Sequence, residues 1–279
     1  MPTDIPRSFH LHMVSDATGE TLTAMAKAAR VQYAQFRAME HVHPLVRTRR
    51  DLDRALAEIE AVPGIVLYTL VNADLVAQLE ETCRRLNLPC VPALQPVLQA
   101  MESYLGSPST PSVGAQHALD ADYFRRIEAL NFSMMHDDGH LPPHIEDADI
   151  ILVGISRTSK TPTSIYLANR GFKTANVPLV SGIPIPVQLE SAKHVLVVGL
   201  IASADRIAQV RHNRVLEHFQ SHVDDYVDRD AIAAEIAETK QLCARHGWPV
   251  IDVTRRSIEE TAAAIIRLYH DRDFPVESQ

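Results

Sequence analysis

Short runs of apolar residues alternate along this chain with longer segments in which apolar residues recur every three or four positions. The short runs predict strands, and the longer segments predict amphipathic helices. In the first hundred residues the predicted strands are 9–14, 41–46, 65–70 and 89–91, and the predicted helices between them are 21–36, 52–61 and 73–86. Strands that alternate with helices of this length form βαβ units, whose sheet is parallel.

A segment rich in proline, glycine and serine interrupts this pattern at residues 106–116. The same alternation then resumes, with predicted strands 150–153, 173–178, 194–200 and 249–253 and predicted helices 120–132, 162–170, 204–219, 230–246 and 257–269. The pattern predicts an α/β fold with an N-terminal doubly wound parallel-sheet domain at 1–105, a linker at 106–119 and a second α/β domain at 120–279.

Composition excludes several classes of partner. The 279 residues are 46% hydrophobic and carry a formal net charge of −8, which argues against a nucleic-acid-binding surface. Three cysteines without metal-type spacing fit a reducing compartment. No apolar run approaches the roughly 20 residues that span a bilayer, and the N-terminus lacks a signal-peptide pattern. We therefore predict a cytoplasmic protein that binds neither membrane nor nucleic acid.

The segment between the predicted strand 150–153 and the predicted helix 162–170 carries the clearest chemistry. It reads Gly154-Ile155-Ser156-Arg157-Thr158-Ser159-Lys160-Thr161. Against the P-loop pattern G-x-x-x-x-G-K-[ST] it matches at Gly154, Lys160 and Thr161 and fails at Ser159. We interpret the eight residues as a phosphate-binding loop, in which backbone N–H groups and a helix N-terminus face the anion. An ordinary polar connection between a strand and a helix is the alternative.

Adjacent carboxylates at Asp137 and Asp138 are the second candidate. Phosphoryl transfer to a hydroxyl needs a carboxylate that orients the hydroxyl or accepts its proton, and usually a divalent cation. The predicted strand 194–200 ends without the acidic residue that an ordinary P-loop NTPase places there. Asp137 or Asp138 can supply that role, with a solvated acidic turn as the alternative. The metal ligands stay undetermined, with Thr161 and Asp137 as candidates for magnesium.

A second polar turn, Ser15-Asp16-Ala17-Thr18-Gly19-Glu20, follows the first predicted strand. One interpretation is a further anion or partner site on Ser15, Asp16 and Thr18. The other is a helix cap and turn.

Residues 153–171 closely resemble the signature of the pyruvate, phosphate dikinase regulatory protein family. Three further segments agree in the same order: Val-Ser-Asp-Ala-Thr-Gly-Glu-Thr at 14–21, His-Asp-Asp-Gly at 136–139 and Ser-Ile-Glu-Glu-Thr-Ala at 257–262. The sister family, which regulates phosphoenolpyruvate synthase, usually carries Cys-Gly where this chain has Thr158-Ser159. The chain therefore resembles the dikinase branch.

This resemblance implies a bifunctional serine/threonine kinase and phosphorylase whose C-terminal domain is P-loop kinase-like. Such an enzyme phosphorylates a threonine of the dikinase with ADP as donor, and removes the phosphate with inorganic phosphate, releasing pyrophosphate. It also implies magnesium and a homodimer. On this interpretation Lys160, Asp137 and Asp138 are catalytic and residues 154–161 hold ADP. The alternatives are the same chemistry on phosphoenolpyruvate synthase, a small-molecule P-loop kinase and a non-catalytic nucleotide sensor.

Overall fold

The computed structural model describes residues 7–110, 121–137, 145–191, 194–218 and 228–273. The chain divides into two compact units, Met1–Ala118 and Leu119–Gln279. Each unit contains a four-stranded sheet in which all neighbouring strands run parallel. The predicted α/β class and the parallel strands are confirmed. Across the described part of the chain, no helix combines the length and the hydropathy that crossing a bilayer requires.

Four strands and four helices are described in the N-terminal unit. The strands are β1 Arg7–Val14, β2 Phe36–His43, β3 Ile65–Tyr68 and β4 Cys90–Pro92. The helices are α1 Glu20–Arg30, α2 Arg49–Ala61, α3 Ala73–Arg85 and α4 Gln95–Leu105. The strand order is β2-β1-β3-β4. Alternate residues of β3 belong to two apolar clusters, one shared with α1 and the other with α2 and α3, so helices cover both faces of the sheet.

The predicted boundaries of the first helix and the second strand are wrong. Helix α1 ends at Arg30, six residues before the predicted end, and β2 occupies Phe36–His43 instead of 41–46. β2 lies at the edge of the sheet and leaves most of its side chains exposed or half-buried, so it lacks the apolar run of a central strand. Helix α4 has no buried residue in this unit and was not predicted.

Four histidines form a stacked cluster on β1 and β2. His10 Nδ1 lies 2.8 Å from His41 Nε2, and His12 Nδ1 lies 3.2 Å from His43 Nε2. His12 Nε2 donates to the carbonyl oxygen of Val62 at 2.8 Å. Burial lowers the pKa of both His12 and His43, because their imidazolium forms would lose hydration. The cluster therefore joins β1 to β2 through side-chain hydrogen bonds, and burial opposes protonation of His12 and His43.

The C-terminal unit contains four strands and six helices in its described residues. The strands are β5 Ile150–Gly154, β6 Thr174–Pro178, β7 Leu196–Ile201 and β8 Val250–Asp252. The helices are α5 Ala121–Met135, α6 Lys160–Asn169, α7 Val187–Ser191, α8 Ala204–His218, α9 Arg229–His246 and α10 Ile258–Asp273, with a 3₁₀ turn at Ile145–Asp147. The strand order is β6-β5-β7-β8.

The central strand β5 is buried along its whole length. Ile150 and Leu152 pack in one apolar cluster with Leu167 of α6, whereas Ile151 and Val153 pack in a second cluster with Phe132 of α5. The chain leaves this strand at the carboxyl edge of a parallel sheet, between the two neighbours β6 and β7. This edge is where open α/β sheets usually bind ligands.

Candidate functional site

The loop that follows β5 begins at a position where only glycine fits without a steric clash. A Cβ atom on Gly154 would lie 2.4 Å from the carbonyl oxygen of Leu200 on β7, and the φ angle of Gly154 is +155°. The carbonyl oxygen of Gly154 accepts a hydrogen bond from the backbone N–H of Leu179 at 3.0 Å. The start of the loop is therefore fixed against both neighbouring strands.

Two residues of the loop have left-handed backbones although neither is glycine. Arg157 has a φ of 74° and Ser159 a φ of 60°. Such conformations cost about 1–2 kcal/mol per residue. They also turn successive backbone N–H groups toward one side, as in anion-binding nests. Ser159 is the N-cap of α6 and makes no capping hydrogen bond through its side chain. Helix α6 begins at Lys160, two residues before the predicted start, so Lys160 is its first residue.

The loop folds around the carbonyl oxygen of Ile155. Thr158 Oγ1 and Lys160 Nζ each donate to this oxygen at 2.9 Å. Thr158 is fully buried and Lys160 is 7% exposed. Arg157 Nε is buried and finds no acceptor among the residues described here. Two cations therefore lie within one strained loop at a helix N-terminus, which is the environment that a phosphate group prefers.

A carboxylate from outside the loop reaches it. Asp137, two residues after α5, accepts a hydrogen bond from Thr161 Oγ1 at 3.1 Å through its Oδ1 atom. The same Oδ1 atom accepts from Asn176 Nδ2, which also donates to Thr161 Oγ1 at 3.0 Å. The structure thus brings Asp137 to the candidate loop across 24 positions of sequence. Asp138, the other predicted carboxylate, lies outside the described residues.

His136 fixes the backbone on which Asp137 lies. Its ring stacks on Phe132 with centroids 3.9 Å apart, and Nδ1 donates to the carbonyl oxygen of Phe132 at 2.8 Å. Its own carbonyl oxygen accepts from the backbone N–H of Asn176 at 2.9 Å. The residue before Asp137 is therefore tied both to α5 and to β6.

Asn176 is the residue of this cluster that sequence reasoning missed. It lies in the middle of β6 and is 2% exposed. The available signal was a side-chain amide within a strand whose other side chains are small or apolar. Buried polar groups of this kind are normally hydrogen-bonded, and here the partners are Asp137 and Thr161.

The end of β7 contributes no carboxylate, because Ala202 and Ser203 follow Ile201. Within the described ranges, no group of three or more His, Cys, Asp or Glu side chains could hold a metal ion. A divalent cation at the loop would therefore need hydroxyl, amide or phosphate oxygens beside the Asp137 carboxylate. Such hard oxygen ligands suit magnesium.

A cavity of about 420 Å³ opens beside the loop at Ile155. The segment after β6 forms one wall, with the apolar side chains of Leu179 and Ile183, and α9 forms the other with Arg245 and His246. Its mixture of apolar and charged groups suits an amphipathic small molecule.

The polar turn after β1 is arranged differently. Ser15 Oγ accepts from the backbone N–H of Ala17 at 3.1 Å and from Thr69 Oγ1 at 2.9 Å. Asp16 Oδ2 accepts from the backbone N–H of Val71 at 3.0 Å. Both side chains are nearly buried and join the loops that follow β1 and β3. These contacts favour the interpretation of Ser15 and Asp16 as turn-stabilising residues.

The chain was also compared with solved structures. It has 12% identity to a periplasmic ribose ABC transporter protein from Conexibacter woesei, covering 98% of this chain and 88% of the other, but the TM-score is 0.24. A score this low does not indicate a shared fold.

The amino-acid sequence is strongly similar to a known protein family over nearly its whole length. The sequence model of a family described as Kinase/pyrophosphorylase matches residues 11–266. A protein from Chelativorans sp. (strain BNC1) is 62% identical over 264 residues, covering 94% of this chain and 97% of the relative. A protein from Bradyrhizobium diazoefficiens is 57% identical over 273 residues, covering 98% of each. Both relatives carry the name pyruvate, phosphate dikinase regulatory protein. The resemblance seen in the sequence is confirmed, and the chain belongs to the kinase/pyrophosphorylase family.

Proposed function

We propose that this protein is a bifunctional regulator of pyruvate, phosphate dikinase. In one direction it transfers the β-phosphate of ADP to a threonine hydroxyl of the dikinase, which leaves AMP and inactivates the target. In the other direction inorganic phosphate takes the phosphoryl group from that threonine, which restores the hydroxyl and yields pyrophosphate. The names of the relatives support this target, the family description and the site support phosphoryl transfer, and the two-way chemistry with ADP and inorganic phosphate is what the family resemblance implies.

The observation that carries the proposal is the hydrogen bond between Asp137 and Thr161 at the start of α6. A phosphate-binding loop alone fits a nucleotide sensor as well as an enzyme. A carboxylate next to that loop adds the group that orients an attacking hydroxyl or accepts its proton. Asp137 serves this role in the proposal, and Asp138 remains the other predicted catalytic carboxylate.

One site serves both directions. ADP and pyrophosphate each contain two linked phosphate groups, so the same loop can hold the donor of the kinase reaction and the product of the phosphorylase reaction. In the proposal the backbone of residues 154–161, Lys160 and Arg157 bind these phosphates, as in a P-loop kinase-like domain. The cavity beside Ile155 gives room for the nucleoside of ADP.

The residues present also fit magnesium. Thr161 Oγ1 and Asp137 Oδ1 are hard oxygen atoms 3.1 Å apart at the loop. Bound there, magnesium would neutralise charge on the phosphate oxygens. The side chains do the rest: the loop orients the phosphates, and Asp137 orients the hydroxyl. The predicted homodimer stays a prediction.

The test uses purified protein, magnesium and dikinase, with ADP labelled in the β-phosphate. Label on a dikinase threonine, followed by its release as labelled pyrophosphate when inorganic phosphate is added, is the expected result. ATP labelled in its β-phosphate serves as the control, because it transfers its unlabelled γ-phosphate if it is the donor. The total phosphate on the target therefore distinguishes the two donors.

Three other results would contradict the proposal in different ways. Label on phosphoenolpyruvate synthase but not on dikinase would change the target and keep the chemistry. Label on a small metabolite would indicate a small-molecule kinase. ADP binding without any transfer would indicate a sensor.

A further inference from the structure

The amide of Asn176 lies between the two candidate groups of the site. Asn176 Nδ2 is 3.0 Å from Thr161 Oγ1 and within hydrogen-bond distance of Asp137 Oδ1, and those two oxygens are 3.1 Å apart. Three polar atoms therefore form a small triangle at the first turn of α6. The backbone of Asn176 is fixed by its hydrogen bond to His136, so the amide cannot easily leave this place.

The other end of the same amide is not satisfied. Asn176 Oδ1 is buried and has no donor within the described residues. A buried acceptor without a partner costs about 1–3 kcal/mol. A half-turn of the amide exchanges Oδ1 and Nδ2 with little movement of other atoms. After that turn, the triangle consists of three oxygen atoms: a carboxylate, a hydroxyl and an amide oxygen.

Two of the three sides of the triangle match one face of an octahedral magnesium site. Magnesium takes oxygen ligands at about 2.0–2.1 Å in octahedral geometry, so neighbouring ligand atoms lie about 3 Å apart. Two sides of the triangle, at 3.0 and 3.1 Å, agree with this spacing, whereas the third, between Asn176 Nδ2 and Asp137 Oδ1, is shorter and would have to widen around the cation. Calcium, with ligands at about 2.3–2.6 Å, would need a wider triangle.

We propose that Asn176 is a protein ligand of the divalent cation at this site, through Oδ1 after the half-turn of its amide. The inference rests on the proposed function for the presence of a phosphate-bridging cation at the loop. A neutral amide suits the position because Nδ2 can donate to Asp137 when no cation is bound, and Oδ1 can face the cation when one is. A single carboxylate then leaves positive charge on the cation for the phosphate oxygens.

The test measures Mn²⁺ binding to the full-length protein by electron paramagnetic resonance, without dikinase. Asn176→Ala removes both the oxygen and the amino group, and we expect Mn²⁺ affinity to fall about tenfold or more. Asn176→Asp keeps an oxygen ligand and loses the donor, and we expect binding at least as tight as in the parent. Asn169→Ala and Asn169→Asp are matched controls, because Asn169 is exposed at the end of α6 and its Nδ2 donates to the carbonyl oxygen of Ile165.

The two Asn176 variants separate a ligand from a hydrogen-bond donor. If Asn176→Asp weakened Mn²⁺ binding as much as Asn176→Ala did, the amide would act only as a donor to Asp137 and the inference would fail. An unchanged affinity in both variants, or no Mn²⁺ binding by the folded parent with or without AMP, would also overturn it. Circular dichroism melting of each variant identifies a loss that comes from misfolding. The Asn176→Asp variant carries the test if Asn176→Ala does not fold.

Phosphotransfer is measured separately, so the two proposals fail separately. The expected Mn²⁺ pattern in a parent that transfers no phosphate from ADP would reject the proposed function and keep Asn176 as a ligand. Transfer from ADP in a parent whose Mn²⁺ binding ignores Asn176 would reject the ligand and keep the function.

Discussion

The two units place a polar loop at the same point of the same strand order, yet the loops differ in what their side chains do. In each sheet the first strand, β1 or β5, lies between the second and the third strands of its unit. A loop connects this strand to the helix that follows it in sequence, α1 or α6. After β1, the side chains of Ser15 and Asp16 accept hydrogen bonds from their own loop and from the loop that follows β3. The loop after β5 contains two cationic side chains, Arg157 and Lys160. Asp137, which follows α5, accepts a hydrogen bond from Thr161 at the end of this loop.

This difference shows that the topology supplies a place for a ligand but not its chemistry. The carboxyl edge beside the first strand is open to a loop in both units. The N-terminal loop contains no Lys or Arg between residues 15 and 19, and Arg47 Nε donates to the backbone oxygen of Asp16 as a further fixing contact. We therefore expect substitutions in the C-terminal loop to affect phosphate chemistry and their counterparts in the N-terminal loop to affect stability.

The largest expected effect is that of Lys160→Ala, which should lower both the kinase and the phosphorylase rates about 10³-fold. The reason is that Lys160 is the charge closest to the start of α6, and removal of one group that stabilises the transition state costs about 10²–10³-fold or more. Lys27→Ala, in the last turn of α1, is the matched control and should change neither rate. Labelled transfer in each direction measures the effect. Retention of either activity in Lys160→Ala would refute a shared site.

Glycine substitution compares the two loops through stability. Gly154→Ala should cost about 3 kcal/mol, because its Cβ would collide with the backbone of β7. Gly19→Ala should cost about 1–2 kcal/mol, from its φ of +83°. Its new Cβ would lie 3.2 Å from the side chain of Val42, which is half-exposed and can move, and in ordinary contact with Ser15 Cβ at 3.9 Å.

Urea unfolding measures both glycine variants. Trp248 is the single tryptophan of the chain, so its fluorescence reports on the C-terminal unit, while circular dichroism reports on both units. Equal costs for the two variants would show that the close approach at Gly154 is relieved by movement of the strand.

The third prediction concerns the two aspartates. Asp137→Asn should lower the rate of phosphoryl transfer about 10²-fold with little change in stability. The variant lacks the carboxylate that orients the attacking hydroxyl or accepts its proton. Asp16→Asn should do the opposite and reduce stability by about 1–2 kcal/mol, since it weakens a hydrogen bond to the backbone of Val71. Single-turnover rates and urea midpoints of both variants test whether Asp137→Asn mainly lowers the rate and Asp16→Asn mainly lowers the stability. A rate loss in Asp16→Asn after correction for the folded fraction would give the N-terminal loop a functional role.

The smallest expected effect is a dependence of stability on pH in the N-terminal unit. Burial holds the pKa of His12 and His43 below the ordinary value of 6.5, so below pH 6.5 the unfolded chain binds protons that the folded unit does not. The free energy of unfolding is therefore highest above pH 6.5. It falls as the pH drops from 6.5 to the lowered pKa values of the two histidines. Glu58, whose carboxylate lies 3.9 Å from His43, reduces the effect without reversing it.

Melting at pH 7.5, 6.5 and 5.5 tests this dependence. The part of the circular dichroism transition that belongs to the N-terminal unit should move to lower temperature before the Trp248 fluorescence transition does. Transitions that shift together would show that the histidine cluster does not set the acid sensitivity.

Local features of the structure were predictable because they depend on neighbours in sequence. The buried run of β5 and the capping box at the start of α10 are of this kind. In the capping box, Ser257 N donates to Glu260 Oε2 at 2.9 Å and Glu260 N donates to Ser257 Oγ at 3.1 Å. The edge strand β2 was misplaced because its pattern depends on which neighbours cover it, and a single sequence does not state that.

By itself, the sequence determined the α/β class, the parallel strands and the family, and it marked the loop at 154–161 as the place with the clearest chemistry. Only the tertiary structure decided that Asp137 and Asn176 meet Thr161, since Asp137 follows α5, Asn176 lies on β6 and Thr161 lies on α6, and the packing of these elements brings the three residues together. It also showed that the side chains of Ser15 and Asp16 are hydrogen-bonded within their own unit, which favours a turn-stabilising role. A sequence motif reflects backbone geometry that neighbouring residues determine. A site depends on side chains from distant sequence positions, which are brought together only when the helices pack on the sheet.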